Sequence, residues 1–171
     1  MQKKVLAGLI GAMLVSSAAM AAPVVTLERG ESVVGINHLE LDHEGVDSFF
    51  IENAISDKFT AGFQHAEGDY GGDENDLYAK YKLPQNVNLV FGMRDYSGAG
   101  NKMLLGAEVN TDLADKLTGY AGVKFTSVET EYNVGASLAL TDQLNFDVNY
   151  LNKDYDRGGT DGLGFGLNYR F

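Results

Sequence analysis

The chain ends on nine residues in which every second side chain is large and apolar. Leu163, Phe165, Leu167, Tyr169 and Phe171 alternate with Gly164, Gly166, Asn168 and Arg170. A period of two puts the first set on one face of an extended strand and the second on the other. On a helix the same apolar set would be scattered around the whole circumference, so this stretch can bury or expose a coherent face only as a β-strand.

The same alternation recurs upstream. Leu144, Phe146, Val148 and Tyr150 oppose Asn145, Asp147 and Asn149. Tyr132, Val134, Ala136, Leu138 and Leu140 oppose Asn133, Gly135, Ser137 and Ala139. Leu117 to Phe125, Val87 to Met93, Leu77 to Leu83 and Phe59 to Phe63 repeat it. Two kinds of connection separate these segments. One is tight and is followed at once by an apolar residue: Ser56-Asp57-Lys58, Pro84-Gln85-Asn86, Ala114-Asp115-Lys116 and Thr141-Asp142-Gln143. The other is rich in Gly or acidic residues: Gly68 to Asn75, Tyr96 to Asn101, Ser127 to Glu131 and Asn152 to Asp161. Both use ordinary turn chemistry.

The tight turns keep a beat. Asp57 to Asn86 is 29 residues, Asn86 to Asp115 is 29, Asp115 to Asp142 is 27, and Asp142 to Phe171 is 29. Such a unit holds two strands of roughly 10 residues, the length of a membrane-crossing β-strand, with one turn and one loop. One further pair, Val33 to Leu41 and Ser48 to Ile55 around the loop Asp42 to Asp47, precedes them and brings the total to ten strands. The expected fold is all-β: a closed, antiparallel, up-and-down transmembrane β-barrel. An eight-stranded barrel with an irregular N-terminal segment is the alternative, because the first pair is uneven. Val34 and Ile36 share one parity and Leu39 and Leu41 the other, which a one-residue bulge near Asn37-His38 would reconcile.

The N-terminus reads separately. Lys3 and Lys4, the apolar run Val5 to Val15 and the small-x-small motif Ala19-Met20-Ala21 form a secretory signal. Cleavage is expected after Ala21, since a cut after Ala22 would sit beside Pro23. Residues 1–21 are then a cleaved signal peptide and residues 22–171 one barrel domain; a retained anchor is disfavoured by the shortness of the run. No later stretch approaches 18 apolar residues, which excludes a helical membrane protein. Removing Lys3 and Lys4 from 13 basic residues leaves 11 against 24 acidic ones, a net charge of −13. That balance argues against nucleic acid as a partner. Absence of cysteine excludes disulfides and thiolate chemistry.

A soluble sandwich alternates too, but its outer face carries more Lys, Glu and Thr. Here the polar face is rich in Gly, Ala, Ser and Asn, and the apolar face carries no charge from Leu77 to Leu83, Val87 to Met93, Leu117 to Phe125, Tyr132 to Leu140, Leu144 to Tyr150 and Leu163 to Phe171. A cation on the lipid face of such a barrel costs about 2–4 kcal/mol at the midplane. The pattern Leu163-x-Phe165-x-Leu167-x-Tyr169-x-Phe171 resembles the C-terminal assembly signature of bacterial outer-membrane barrels, and the whole chain is similar to the small barrels of the OmpX, opacity-protein and YfaZ-like type. The resemblance implies the cell outer membrane and its lipid, recognition by the barrel-assembly machinery, periplasmic termini and tight turns, and acidic loops outside. It transfers no active residue.

Candidate functional residues fall in three groups. The inward faces supply Glu52, Lys80, Lys82, Arg94, Glu108, Lys124, Asp147 and Arg170, five basic and three acidic. They are expected to form a charge network filling a narrow lumen, helped by Tyr78 and Tyr120; the alternative is a slightly basic conduit that favours anions. The outer loops place Asp42, Glu44, Asp47, Asp69, Asp73, Glu74, Glu129, Asp154, Asp156 and Asp161 outside, where weak bridging by divalent cations is expected. The histidines are His38, His43 and His65; His65 lies near Glu67 and Asp69, and His43 between Asp42 and Glu44, with no nucleophile motif beside them. Phe59, Tyr150, Tyr169 and Phe171 are expected as interfacial anchors. These residues together predict no enzyme and no cofactor, but a small barrel with a structural or surface-interaction role, or else a narrow passive channel for small solutes.

Overall fold

The computed structural model describes residues 25–42, 44–69, 72–155 and 158–171. The expected signal peptide, His43 and Asp156 lie outside the described residues, as does the side chain of Glu44. In chain order the strands are β1 (Ser32–Leu41), β2 (Glu44–Ala54), β3 (Phe59–Gly68), β4 (Asp73–Leu83), β5 (Val87–Tyr96), β6 (Gly100–Ala114), β7 (Leu117–Phe125), β8 (Glu129–Ala139), β9 (Leu144–Tyr155) and β10 (Gly158–Arg170). Each pairs antiparallel with its sequence neighbours, and β1 pairs with β10 to close the ring. The fold is therefore the ten-stranded up-and-down barrel that the 29-residue beat predicts, and the eight-stranded alternative falls away.

Closure runs to the chain end. Val33 pairs with Arg170 and Leu41 with Gly162. Beyond the ladder, the Ser32 amide donates to the Phe171 carbonyl at 2.8 Å, and the Phe171 amide donates back to the Ser32 carbonyl at 2.9 Å. No backbone edge is left open along this seam, which hydrocarbon requires.

The outer wall is apolar and the lumen polar, the reverse of a water-soluble barrel. Leu163, Phe165, Leu167 and Tyr169 are exposed on β10, while Gly162, Gly164, Gly166 and Asn168 are buried. Leu77, Leu89, Phe91, Met93, Met103 and Leu105 continue the exposed belt on β4 to β6. Inside, three aromatic rings lie flat over glycines of the neighbouring strand: Phe50 over Gly35, Tyr78 over Gly62 and Tyr120 over Gly135. The small residues that alternate with the lipid-facing ones make room for these rings, so the glycine content serves lumen packing.

Two expectations are corrected. The bulge near Asn37-His38 is absent: β1 keeps unbroken register with both neighbours. Leu39 simply faces inward, where it is fully buried with Val46, Ala66 and Leu151. This apolar cluster plugs the outer part of the lumen, and its burial offsets the break in alternation. The only register shift among the described residues lies in β6, between Asp112 and Ala114. The second correction concerns the acidic loops. β4, β6, β8, β9 and β10 extend through most of them, so Asp73, Glu74, Glu129, Asp154 and Asp161 lie in strands. At the inner mouth a segment the sequence left unassigned turns into the lumen: Val25 and Leu27 are buried with Val33, Phe50 and Ala54, and the Asn110 amide donates to the Thr26 hydroxyl at 3.0 Å.

Candidate functional site: a charge network across the lumen

Charged side chains meet inside the barrel in two tiers. The inner tier centres on Lys80 of β4. Its Nζ lies 2.7 Å from Glu52 Oε1 on β2 and 2.9 Å from Glu108 Oε2 on β6. The Tyr78 hydroxyl donates to the same Glu52 oxygen at 2.7 Å. These strands are next-but-one neighbours, so the contacts arch over β3 and β5.

The outer tier centres on Arg94 of β5. Its guanidinium grips Asp76 of the adjacent β4 in a two-point fork, Nε to Oδ1 at 2.6 Å and Nη2 to Oδ2 at 2.7 Å. Such forks are the strong form of an ion pair. Its Nη1 also reaches β8, bonding Glu129 and, at 2.7 Å, Glu131. Lys124 stands 3.5 Å from Glu131 and 3.7 Å from Asp76. Lys153 of β9 reaches Glu74 of β4 at 2.5 Å, which joins opposite walls of the ring.

The structure thus brings together Glu52, Lys80 and Glu108 in one group and Arg94 and Lys124 in another. Asp147 stands apart: it is fully buried, accepts from the Asn168 amide, and has no cationic partner among the described residues. Lys82 and Arg170 are only half-buried and join no ion pair among the described residues. The sequence reading missed Glu74, Asp76, Glu129, Glu131 and Lys153. Their parity was legible, since Glu74 and Asp76 precede Tyr78 and Lys80 by twos; assigning them to loops hid it. The basic wall is corrected accordingly. Among the described residues the fully buried lumen charges are Glu52, Asp76, Glu108, Glu129, Glu131 and Asp147 against Lys80, Arg94, Lys124 and Lys153, an acidic surplus of two.

At the outer rim, His65 Nδ1 pairs with Asn75 Oδ1 at 2.9 Å. Asp69 instead takes the Gly45 amide at 3.2 Å. It is His38 that meets carboxylates, Asp47 at 2.7 Å and Glu40 at 3.4 Å. Both ring nitrogens are thereby engaged, which leaves none to take a proton from a nucleophile. The nearby Ser48 is on the other face and directs its hydroxyl to the Asn37 carbonyl at 3.5 Å. Phe59, Tyr169 and Phe171 are exposed on the outer wall, and Phe59 rests on Tyr81 with ring centroids 5.0 Å apart. Tyr150 is buried, and so departs from the expected girdle.

No protein-family model and no curated protein matches the chain. Solved structures do share its architecture. A transmembrane β-barrel from de novo design superposes with a TM-score of 0.52 at 12% identity, over 86% of this chain and 100% of the other. KdgM porin gives 0.51 at 12% identity, over 81% and 99%. The translocator domain of the autotransporter NalP from Neisseria meningitidis gives 0.52 at 11% identity, over 99% and 95%. Identities this low speak to fold alone, and the fold is that of the transmembrane β-barrels.

Proposed function

We propose that this chain is a bacterial outer-membrane barrel of structural, non-catalytic role whose lumen is held closed. Residues 1–21 direct export, the stretch Leu163 to Phe171 is read by the barrel-assembly machinery, and both termini lie on the periplasmic side. The observation that carries the reading is the bridging of the lumen by Arg94 and Lys153, from β5 to β8 and from β9 to β4. A lumen crossed by buried ion pairs, with Leu39, Val46 and Leu151 on its outer side and Val25 and Leu27 in its inner mouth, leaves no porin-like path. Surface binding has less support than the structural role, because the outer connections shorten to turns such as Ser97–Ala99. The purified protein in planar bilayers is expected to give no stable conductance of porin size; sustained porin-like steps would overturn the closed-lumen reading.

One observation favours the narrow channel instead. The side-chain amides of Asn37, Asn133 and Asn149 are buried without hydrogen-bond partners. Buried amides need partners, and water supplies them where protein does not. A thin file of water along β8, β9 and β1 would pass water or small cations, given the acidic surplus. In that case Arg94→Ala raises a small cation-selective conductance, whereas under the closed reading the wild type is silent.

A further inference from the structure

The largest concavity lies outside the lumen. On the wall where β9, β10, β1, β2 and β3 run side by side, Ile36, Phe49, Phe146, Phe165 and Leu167 line a groove of about 530 Å³. Ligand-sized clefts fall in this range. The groove has polarity along the barrel axis. Phe146 and Leu167 lie toward its inner end, and His38, Asp47, His65 and Glu67 toward the outer rim. The ring of His38 packs against Phe165 at 5.6 Å and that of His65 against Phe49 at 5.7 Å, so imidazoles mark the boundary between the two ends.

An apolar groove facing hydrocarbon takes an acyl chain, and its polar end then meets a headgroup. The charge there is specific. His38 is shared between Asp47 and Glu40, whose side chains remain 82% and 75% exposed. One imidazole cannot neutralise two carboxylates, and Glu67 lines the same end. The complement is a cation. Among the described residues no three His, Asp or Glu side chains converge to hold a metal ion, whereas an ammonium with three donors can be shared between spaced carboxylates. We propose that this groove binds a lipid whose acyl chain lies over Ile36 and whose headgroup carries a primary ammonium, received by Asp47 and Glu40. The proposal rests on the membrane-barrel reading above.

The chain has no tryptophan, so Phe146→Trp places a single reporter in the groove and Met103→Trp a single reporter on the opposite wall, on β6. Each variant is reconstituted in phosphatidylcholine vesicles holding a small fraction of chain-brominated phosphatidylethanolamine or phosphatidylglycerol, and quenching is read. At Phe146→Trp the ethanolamine lipid is expected to associate roughly two- to fivefold more strongly than the glycerol lipid, the range an exposed ion pair supplies. At Met103→Trp the two quench alike. Adding Asp47→Asn with Glu40→Gln removes the preference, and so does Ile36→Phe, which fills the groove without touching a charge. Equal quenching in the groove, or a preference surviving both variants, overturns the site while quenching at Met103→Trp still upholds the membrane reading. Absence of quenching at both reporters overturns the membrane reading and the site together.

Discussion

Arg94 shows what a single residue can do in a narrow barrel. Its guanidinium is almost wholly buried and satisfies carboxylates from two non-adjacent strands. Removing one partner of a buried ion network leaves the others uncompensated, at a cost of about 3–5 kcal/mol. Arg94→Ala is expected to lower stability by that amount in urea titrations of the folded barrel. Lys82→Ala, which breaks no ion pair, should change it by less than about 0.5 kcal/mol. The contrast also marks how far the residues were legible. Lys80, Lys82 and Arg94 were read as inward from parity alone. Parity cannot say that Lys80 and Arg94 are gripped while Lys82 is not, because that depends on which wall stands opposite.

Turns and seams carry the argument at the scale of elements. The tight inner turns recur in sequence because a hydroxyl organises them. Ser56 Oγ accepts from the amides of Lys58 and Phe59, and Thr141 Oγ1 from those of Gln143 and Leu144. Thr141→Ala is expected to cost about 1 kcal/mol in the same titration. Lys116 sits at φ 67°, a left-handed conformation that costs a non-glycine residue about 1 kcal/mol; Lys116→Gly should therefore raise stability slightly, by about 0.5 kcal/mol or more. On the closing seam a Cβ at Gly162 would collide with the Glu40 carbonyl, whereas one at Gly72 meets nothing within 4 Å. Gly162→Ala should slow or abolish the heat-modifiable gel shift of the closed barrel, while Gly72→Ala leaves it intact. Strand number and turn sites were readable because each depends on local chemistry. The strand ends were not: Asp73, Glu74 and Glu129 have loop-like composition yet continue their strands, since the lumen offers their carboxylates Arg94 and Lys153.

The whole molecule is an apolar belt around a polar, filled interior. Its ion pairs are shielded from solvent, so salt should screen them little. The urea midpoint is expected to move only slightly between low and high ionic strength; a large shift would mean that water reaches the network. The sequence by itself determined the two faces, the ten strands and the seam at Phe171, because side-chain period and turn chemistry act over a few residues. Only the tertiary structure decided which charges meet. Arg94 finds Glu131 37 residues away, and Lys153 finds Glu74 79 residues away, because closing the ring brings distant strands within a side chain's reach. The inward turn of Leu39 and the seating of Val25 and Leu27 were decided the same way. A lumen that must be filled takes apolar side chains from wherever the closed wall presents them, and alternation along one strand carries no record of that demand.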